Sequence, residues 1–224
     1  MYPFGPWSGE LNRGTAVSFW SRKVQPDRHE QSDSLEVLDW PGLRRADLQT
    51  VLALTEASGC PFTEAVRRLE AGSCWAGLRS ISVIATTGWV TDQPVWVGEL
   101  NAWLVPPPEH AYVWDCRTRP ECRGHGHYPN LLDGLCDLAA RRGARTAWIA
   151  VEWSNWRSVA GVIRAGFRPL ALVLVSRQAG RWKRQILPGH SASESPVATL
   201  GKAIQAWRSP NAQYLERLEA SGRD

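Results

Sequence analysis

The stretch that decides the fold is R-P-E-C-R-G-H-G-H-Y-P-N-L-L, from Arg119 to Leu132. Ahead of it, residues 111–118 (A-Y-V-W-D-C-R-T) read as a strand. Behind it, Tyr128, Leu131, Leu132, Leu135, Leu138 and Ala139 recur at the three- and four-residue spacing of one helix face. Strand, glycine turn and helix in that order make an anion pocket. Glycines let a ligand approach the backbone closely, and the first N–H groups of a helix have no acceptor within it. Pro129 falls in the first turn, where its missing N–H costs nothing and its fixed φ favours the helix. Arg123 can add a charge-assisted hydrogen bond to a phosphate.

Elimination narrows the ligand. The turn is not G-x-x-x-x-G-K-[ST], because no lysine follows and no Ser or Thr stands ready to hold magnesium. It is not G-x-G-x-x-G either, since Pro129 takes the place of the third glycine and no acidic residue marks a ribose at the usual distance. A short turn with one arginine suits a diphosphate held mainly by backbone.

Arg123-Gly-His-Gly126-His-Tyr128 resembles the Q/R-x-x-G-x-G/A signature of the GNAT superfamily of acyl-CoA-dependent N-acetyltransferases, and Pro120-Glu-Cys-Arg123 matches that family's P-E-x-R-G lead-in. A second block agrees: Asn155-Trp-Arg-Ser158, then Val162, then Gly166-Phe167 is similar to N-x-x-A/S…G-F at the family's spacing. The two motifs come in order, separated by a helix and the strand 147–151, and the resemblance runs over residues 35–187. It implies an α/β fold, a GNAT-like mixed β-sheet flanked by helices, with N- and C-terminal extensions. The organisation expected is an extension over residues 1–33, an acyltransferase domain over 34–188, and a linker with a helical tail over 189–224.

Composition sets outer bounds. A chain of 224 residues is long enough for a substantial core. The net charge of +4 is carried almost wholly by arginine and is too mild to argue for nucleic acid, and no basic run suggests a binding arm. The thirteen tryptophans suit either a core or an apolar substrate cleft. The five cysteines form no C-x-x-C pair, which fits a reduced, cytoplasmic protein. Cys116, Cys122, His125 and His127 crowd together without finger-like spacing, and the glycine turn already explains the segment, so no metal is expected. No apolar run approaches membrane-spanning length.

Along the chain, residues 1–33 show no clear periodicity and read as a loose extension, although Phe4, Trp7, Phe19 and Trp20 imply that part of it docks on the domain or on a partner. Strands are expected at 35–40, 80–89, 95–105, 110–118 and 146–151, with a final hairpin over 167–175 and 181–187. Helices are expected at 46–57, 62–71, 126–142 and 155–165, then two short ones at 199–207 and 210–219. That tail packs on its own domain or exchanges with a second subunit to make a homodimer.

The resemblance carries residue roles with it. It places acetyl-CoA, or another acyl-CoA, with its pyrophosphate on Arg123, Gly124, His125, Gly126, His127 and Tyr128. The pantetheine arm then lies beside Arg117, Thr118 and Arg119, where two neighbouring strands splay. Asn155 falls near the pantetheine or the thioester; it is equally a good helix cap. The acceptor would be an amine on a small molecule or a peptide. An aliphatic amine, with a pKa of about 10, needs a base or a water relay at neutral pH. Asp115, on the strand entering the glycine turn, is the first candidate; Glu99, on an expected neighbouring strand, is the second. Asp115 could instead pair with Arg117 on the same strand face. The tyrosine that many members place seven residues after the asparagine is Val162 here, so Tyr128, water or no acid at all protonates the thiolate. A GNAT fold that binds CoA without chemistry, as a sensor or interaction module, is the alternative reading.

Overall fold

The computed structural model describes residues 15–25, 35–43, 45–46, 48–178, 181–189 and 194–205. In chain order the elements are β1 (Thr15–Lys23), β2 (Leu35–Leu38), α1 (Trp40–Leu43), α2 (Leu48–Ser58), α3 (Phe62–Glu70), β3 (Cys74–Ser80) and β4 (Val83–Thr91). A small hairpin of β5 (Val95–Val97) and β6 (Ala102–Leu104) follows. Then come β7 (His110–Thr118), α4 (His127–Arg141), β8 (Thr146–Glu152), α5 (Trp156–Arg164), β9 (Arg168–Gln178), β10 (Arg181–Pro188) and α6 (Glu194–Gln205). Eight strands form one mixed sheet in the order β10-β9-β1-β8-β7-β4-β3-β2, and β5 and β6 pair apart from it. The mixed α/β sheet flanked by helices is the architecture expected.

Two layers cover the sheet. On one face, Leu131, Leu132, Leu135 and Ala139 of α4 and Val162 of α5 pack onto Trp20, Val90, Val113 and Ile149. The other face is shared. Helices α2 and α3 bring Leu54 and Leu69 onto Trp75, Ile84 and Trp89. The β5–β6 hairpin and α6 bring Leu100, Leu104, Leu200 and Ile204 onto Phe19, Trp148 and Val173.

The reading of residues 1–33 as a loose extension is corrected for 15–23. Strand β1 lies inside the sheet, antiparallel to β8 and to β9. Ala16 to Trp20 are all buried, with Phe19 facing one layer and Trp20 the other. A strand covered on both faces loses the alternation that marks a half-buried one, which is why it shows no period. Its polar side chains are accommodated: Ser18 Oγ donates to Val151 O at 2.9 Å, and Arg22 donates to Ala165 O at 2.7 Å and pairs with Asp133 of α4. Phe4 and Trp7 lie outside the described residues.

Other boundaries shift for local reasons. The single strand expected at 80–89 is a hairpin, β3 and β4, turning at Ile81 with φ +55°. The strand expected at 95–105 breaks at a one-turn 3-10 helix, Gly98–Leu100, closed by Asn101 in the left-handed region. The first tail helix begins at Glu194 rather than 199, with Pro196 tolerated in its first turn. It packs on its own sheet, where Ala203 O accepts from Val105 N at 3.3 Å; the second, at 210–219, lies outside the described residues.

Because β1 is interior, Phe19→Ala should cost about 3–5 kcal/mol of stability, the usual range for emptying a buried aromatic site. Denaturant unfolding measures it; a loss below about 0.5 kcal/mol would be the behaviour of an exposed arm.

Candidate functional site

The site begins where two parallel strands part. β7 pairs with β8 from His110↔Thr146 to Val113↔Ile149, and the ladder stops there. From Trp114 onward β7 keeps β4 on one side, while its other side opens toward the start of α5. On the β4 side the register slips between Thr87 and Trp89, so that Asp115 and Cys116 together stand opposite Gly88. This is a β-bulge, and Asp115 takes φ +45° in it. Crevices at the carboxyl ends of diverging parallel strands are where open α/β sheets bind ligands.

The glycine turn closes the same crevice. Gly124 and Gly126 have φ +83° and +80°, and a Cβ built on either would meet nothing within 4 Å. The need for glycine here comes from backbone conformation, and the space beside the turn is open. The first hydrogen bond back along α4 runs from Asn130 N to Gly126 O (3.4 Å), so the N–H groups of His127 and Tyr128 have no acceptor inside the helix. Arg123 Nε folds back onto Thr118 O at 3.3 Å.

A cleft of about 760 Å³ joins these parts. Its walls include Arg117, Thr118, Arg123, Gly124, Gly126, His127, Tyr128 and Asn155, eight of the ten residues that the sequence assigns to the cofactor. Two are not brought there. Arg119 turns under the sheet, donating to Ile84 O at 2.9 Å and pairing with Glu56 at 3.2 Å. His125 is exposed at the tip of the turn, its ring 6.0 Å from that of His127.

Helix α5 supplies the opposite wall. Asn155 is its cap, the side chain accepting from Ser158 N at 3.2 Å. Val162 is fully buried in the core and takes no part in the cleft. The neighbouring Gly161 does face it, and a Cβ there would come within 2.3 Å of the Tyr128 ring. The bulk that Tyr128 adds to the first turn of α4 is thus matched by a missing side chain on α5. Burial, and then the nearby Cys116, push the Tyr128 phenol well above its ordinary range.

Neither candidate base is among the residues that line the cleft: Asp115 projects from β7 toward the α3 cover, and Glu99 lies in the β5–β6 cover. Asp115 does not pair with Arg117, as strand alternation suggested, because the bulge redirects it; its Oδ2 accepts from Arg68 Nη1 of α3 at 2.5 Å. Arg117 Nη1 reaches Ser58 O instead, at 3.0 Å. Glu99 is not on a strand next to β7. It is exposed in the 3-10 turn between β5 and β6. Its charge, after burial, helps push the Tyr112 phenol up, which places it on the Tyr112 side of β7. Trp114, between Tyr112 and Asp115 on β7, packs against both covers of this face.

With this geometry in view, the comparisons with known proteins decide the family. The GNAT acetyltransferase family model matches residues 38–167, more than half of the chain and both motifs. The chain belongs to the GNAT acetyltransferase family. Among solved structures, this GNAT chain resembles a GNAT-family protein from Novosphingobium aromaticivorans DSM 12444, at 17% identity over 84% of this chain and 71% of that one, with a TM-score of 0.52. It also resembles an acetyltransferase from the GNAT family of Colwellia psychrerythraea (15% identity, 77% and 56% covered, TM-score 0.48). A GCN5-related N-acetyltransferase from Sphaerobacter thermophilus is a third (18% identity, 79% and 53% covered, TM-score 0.47). The chain spans about half the length of the last two. No curated protein matches it.

Among the cleft residues of this GNAT chain that sequence reasoning missed are Trp156, 68% exposed, and the arginines Arg157 and Arg164. A signal existed, since Arg157, Ala160, Gly161 and Arg164 stand at the three- and four-residue spacing of one helix face. Among the described residues, no group of three or more His, Cys, Asp and Glu side chains could hold a metal, and no helix is long and apolar enough to cross a membrane.

Beneath Asp115, Glu64 binds both Arg67 (2.7 Å) and Arg68 (2.8 Å), and these bonds hold its carboxyl down at about 2. A depressed carboxyl stabilises the fold above its unfolded value, and that contribution is lost as pH falls toward the folded one. Wild-type stability should therefore fall between about pH 4.5 and pH 2, and Glu64→Gln should flatten the slope in that window, as read by denaturant unfolding at a series of pH values. A second expectation follows from the packing of α5: Val162→Tyr should destabilise by about 1–3 kcal/mol or more, since the site is filled, measured by the same unfolding.

Proposed function

We propose that the protein is an N-acyltransferase that moves an acetyl or other short acyl group from acyl-CoA to an amine. The observation that carries the reading is the continuity of one cleft from the glycine turn to the opened edge of β7. The residues fit a nucleotide thioester. Two left-handed glycines leave open space beside unpaired N–H groups at a helix N-terminus, which suits a pyrophosphate. Arg123, Arg157 and Arg164 add positive charge along the same cleft. The edge of β7 beyond Val113 offers strand-like hydrogen bonds to an amide-bearing arm.

The co-substrate supplies an activated acyl carbon; in the transfer a C–N bond forms and the C–S bond breaks. Asp115, at the bulge where the strand edge meets the acceptor side, takes the proton of the incoming amine, directly or through a water. Glu99 is the second candidate, from the other cover of the same face. The raised Tyr128 phenol stands against Gly161 in the cleft and stays protonated, so it can donate a hydrogen bond to the departing thiolate; because the shift makes it a weaker acid, the thiolate takes its proton from water. The family's usual position for that group, Val162, is committed to the core. The five free thiols support a reducing, cytoplasmic setting.

The acceptor approaches at Trp114 and Asp115, between the α2–α3 cover and the β5–β6 hairpin. Its class on this reading is a small-molecule or peptide amine.

Calorimetric titration with acetyl-CoA, followed by thioester turnover with a panel of amines, tests the reading. Gly126→Asp puts a charged side chain into a left-handed position beside the anion site and should weaken acetyl-CoA about tenfold or more, near 1.4 kcal/mol. Asp115→Asn should leave that affinity unchanged and lower turnover at neutral pH by about 10²–10⁴-fold. Binding without turnover across the panel would favour a sensor or interaction module, a reading that the Arg68–Asp115 pair also suits. No binding would remove the cleft from the argument.

A further inference from the structure

Arg68 of α3 is held by four side chains at once. Its Nη1 donates to Asp115 Oδ2 at 2.5 Å and its Nε to Glu64 Oε1 at 2.8 Å. Its guanidinium carbon lies 4.3 Å from the centre of the Trp114 ring and 5.1 Å from that of Trp89. Trp89 is backed in turn by Trp75, stacked at 5.0 Å and 6°. The Arg68 side chain is 15% exposed and that of Asp115 49%. One planar group is therefore held by two indoles and two carboxylates, while the carboxylate it holds stays open to solvent.

That arrangement acts on a backbone that needs holding. Asp115 sits at φ +45° in the middle of a strand, a conformation that side-chain-bearing residues avoid and that persists where surrounding contacts over-determine it. We infer that Arg68 is a positioning residue for acyl transfer: anchored over the rings of Trp89 and Trp114, it fixes the bulged Asp115 where its carboxylate meets the acceptor amine. The inference rests on the acyltransferase reading and on Asp115 as its base, and adds a residue that no motif contains.

Arginine is required for geometric reasons. A planar guanidinium stacks on an indole face and donates along two directions in one plane; an ammonium of the same charge has neither property. A purely structural tie between α3 and the sheet would also use this pair, so the test must separate holding the fold from placing the base.

The experiment uses the full chain with Arg68→Ala, Arg68→Gln and Arg68→Lys, and Asp115→Asn alone and combined with Arg68→Ala. Turnover is read at saturating acetyl-CoA, with acetyl-CoA affinity by calorimetry and melting temperature alongside. The expected result is a fall in kcat of about tenfold or more in all three Arg68 variants, lysine included, with acetyl-CoA affinity within about twofold of wild type. Guanidinium at millimolar concentration should raise both the melting temperature and the kcat of Arg68→Ala, by taking the vacated place over the two indoles, and do neither for wild type. The double variant should lose no more than Asp115→Asn alone, because both changes remove one device. Arg68→Gln, which keeps much of the side chain's volume, serves if the alanine variant does not fold. Wild-type kcat in the Arg68 variants with a lowered melting temperature would overturn the inference, as would losses that multiply in the double variant. A wild-type protein inactive with every amine would overturn the acyl-transfer reading itself and this role with it, so the two failures are told apart by the wild-type measurement.

Discussion

Four residue pairs hold β7 parallel to β8, and beyond Val113 and Ile149 the two strands separate. An opened parallel pair is costly inside a protein, since backbone N–H and C=O groups that lose a strand partner must find water or a ligand. Everything that makes the cleft a candidate binding site depends on that opening. It gives the amide edge of β7 to the solvent and brings the N-terminus of α5 opposite the N-terminus of α4. It also leaves Asp115 and Cys116 free to bulge against Gly88, since β7 there keeps register with β4 alone.

The opening also explains why β1 is inside the sheet. Once β8 leaves β7, something must hold β8 from its other side, and β1 does so over seven pairs from Val17↔Glu152 to Lys23↔Thr146. The same strand carries β9 and, through it, β10. Arg22 then ties β1 to Asp133 on α4 and to the end of α5 at Ala165 O, the two helices whose N-termini wall the cleft. The segment with the least readable pattern is thus the one that keeps the cleft's far wall in place.

How much the sequence reveals follows from the range of the interactions. The glycine turn was legible because it is local: two glycines at positive φ, Pro129 in the first turn and a regular helix face lie within a few residues. Asn155 was legible as a cap for the same reason. Strand β1 was not, because burial on both faces removes its period. The Asp115–Arg68 pair joins residues 47 positions apart, and a bulge turned the carboxylate away from the partner that simple alternation assigns it. Hairpin β3–β4 was half seen, since Cys74-Trp-Ala-Gly-Leu78 follows α3 directly and is buried throughout, again without alternation. Local motifs located the glycine-turn end of the candidate site; non-local packing arranged the surroundings of Asp115.

The packing around Asp115 carries a cost. Among the described residues, the buried side-chain polar atoms without a hydrogen-bond partner are Trp75 Nε1, Trp89 Nε1, Trp114 Nε1 and Thr87 Oγ1. The three indoles are in contact in series, Trp75 stacked on Trp89 and Trp114 tilted against it, and Thr87 lies two residues before Trp89 on β4. A buried donor left unmet costs about 1–3 kcal/mol, so this group is expensive on the scale of a domain's net stability. Leucine or phenylalanine would fill the same layer without orphaned N–H groups. What they would not provide is a flat, rigid, electron-rich wall for a guanidinium. Arg68 lies over that wall and donates to Asp115, at the bulge on the opened strand. Local violations of the rules for a stable core concentrate where a site needs geometry more than stability, and here they lie directly behind the bulged Asp115, the first candidate base.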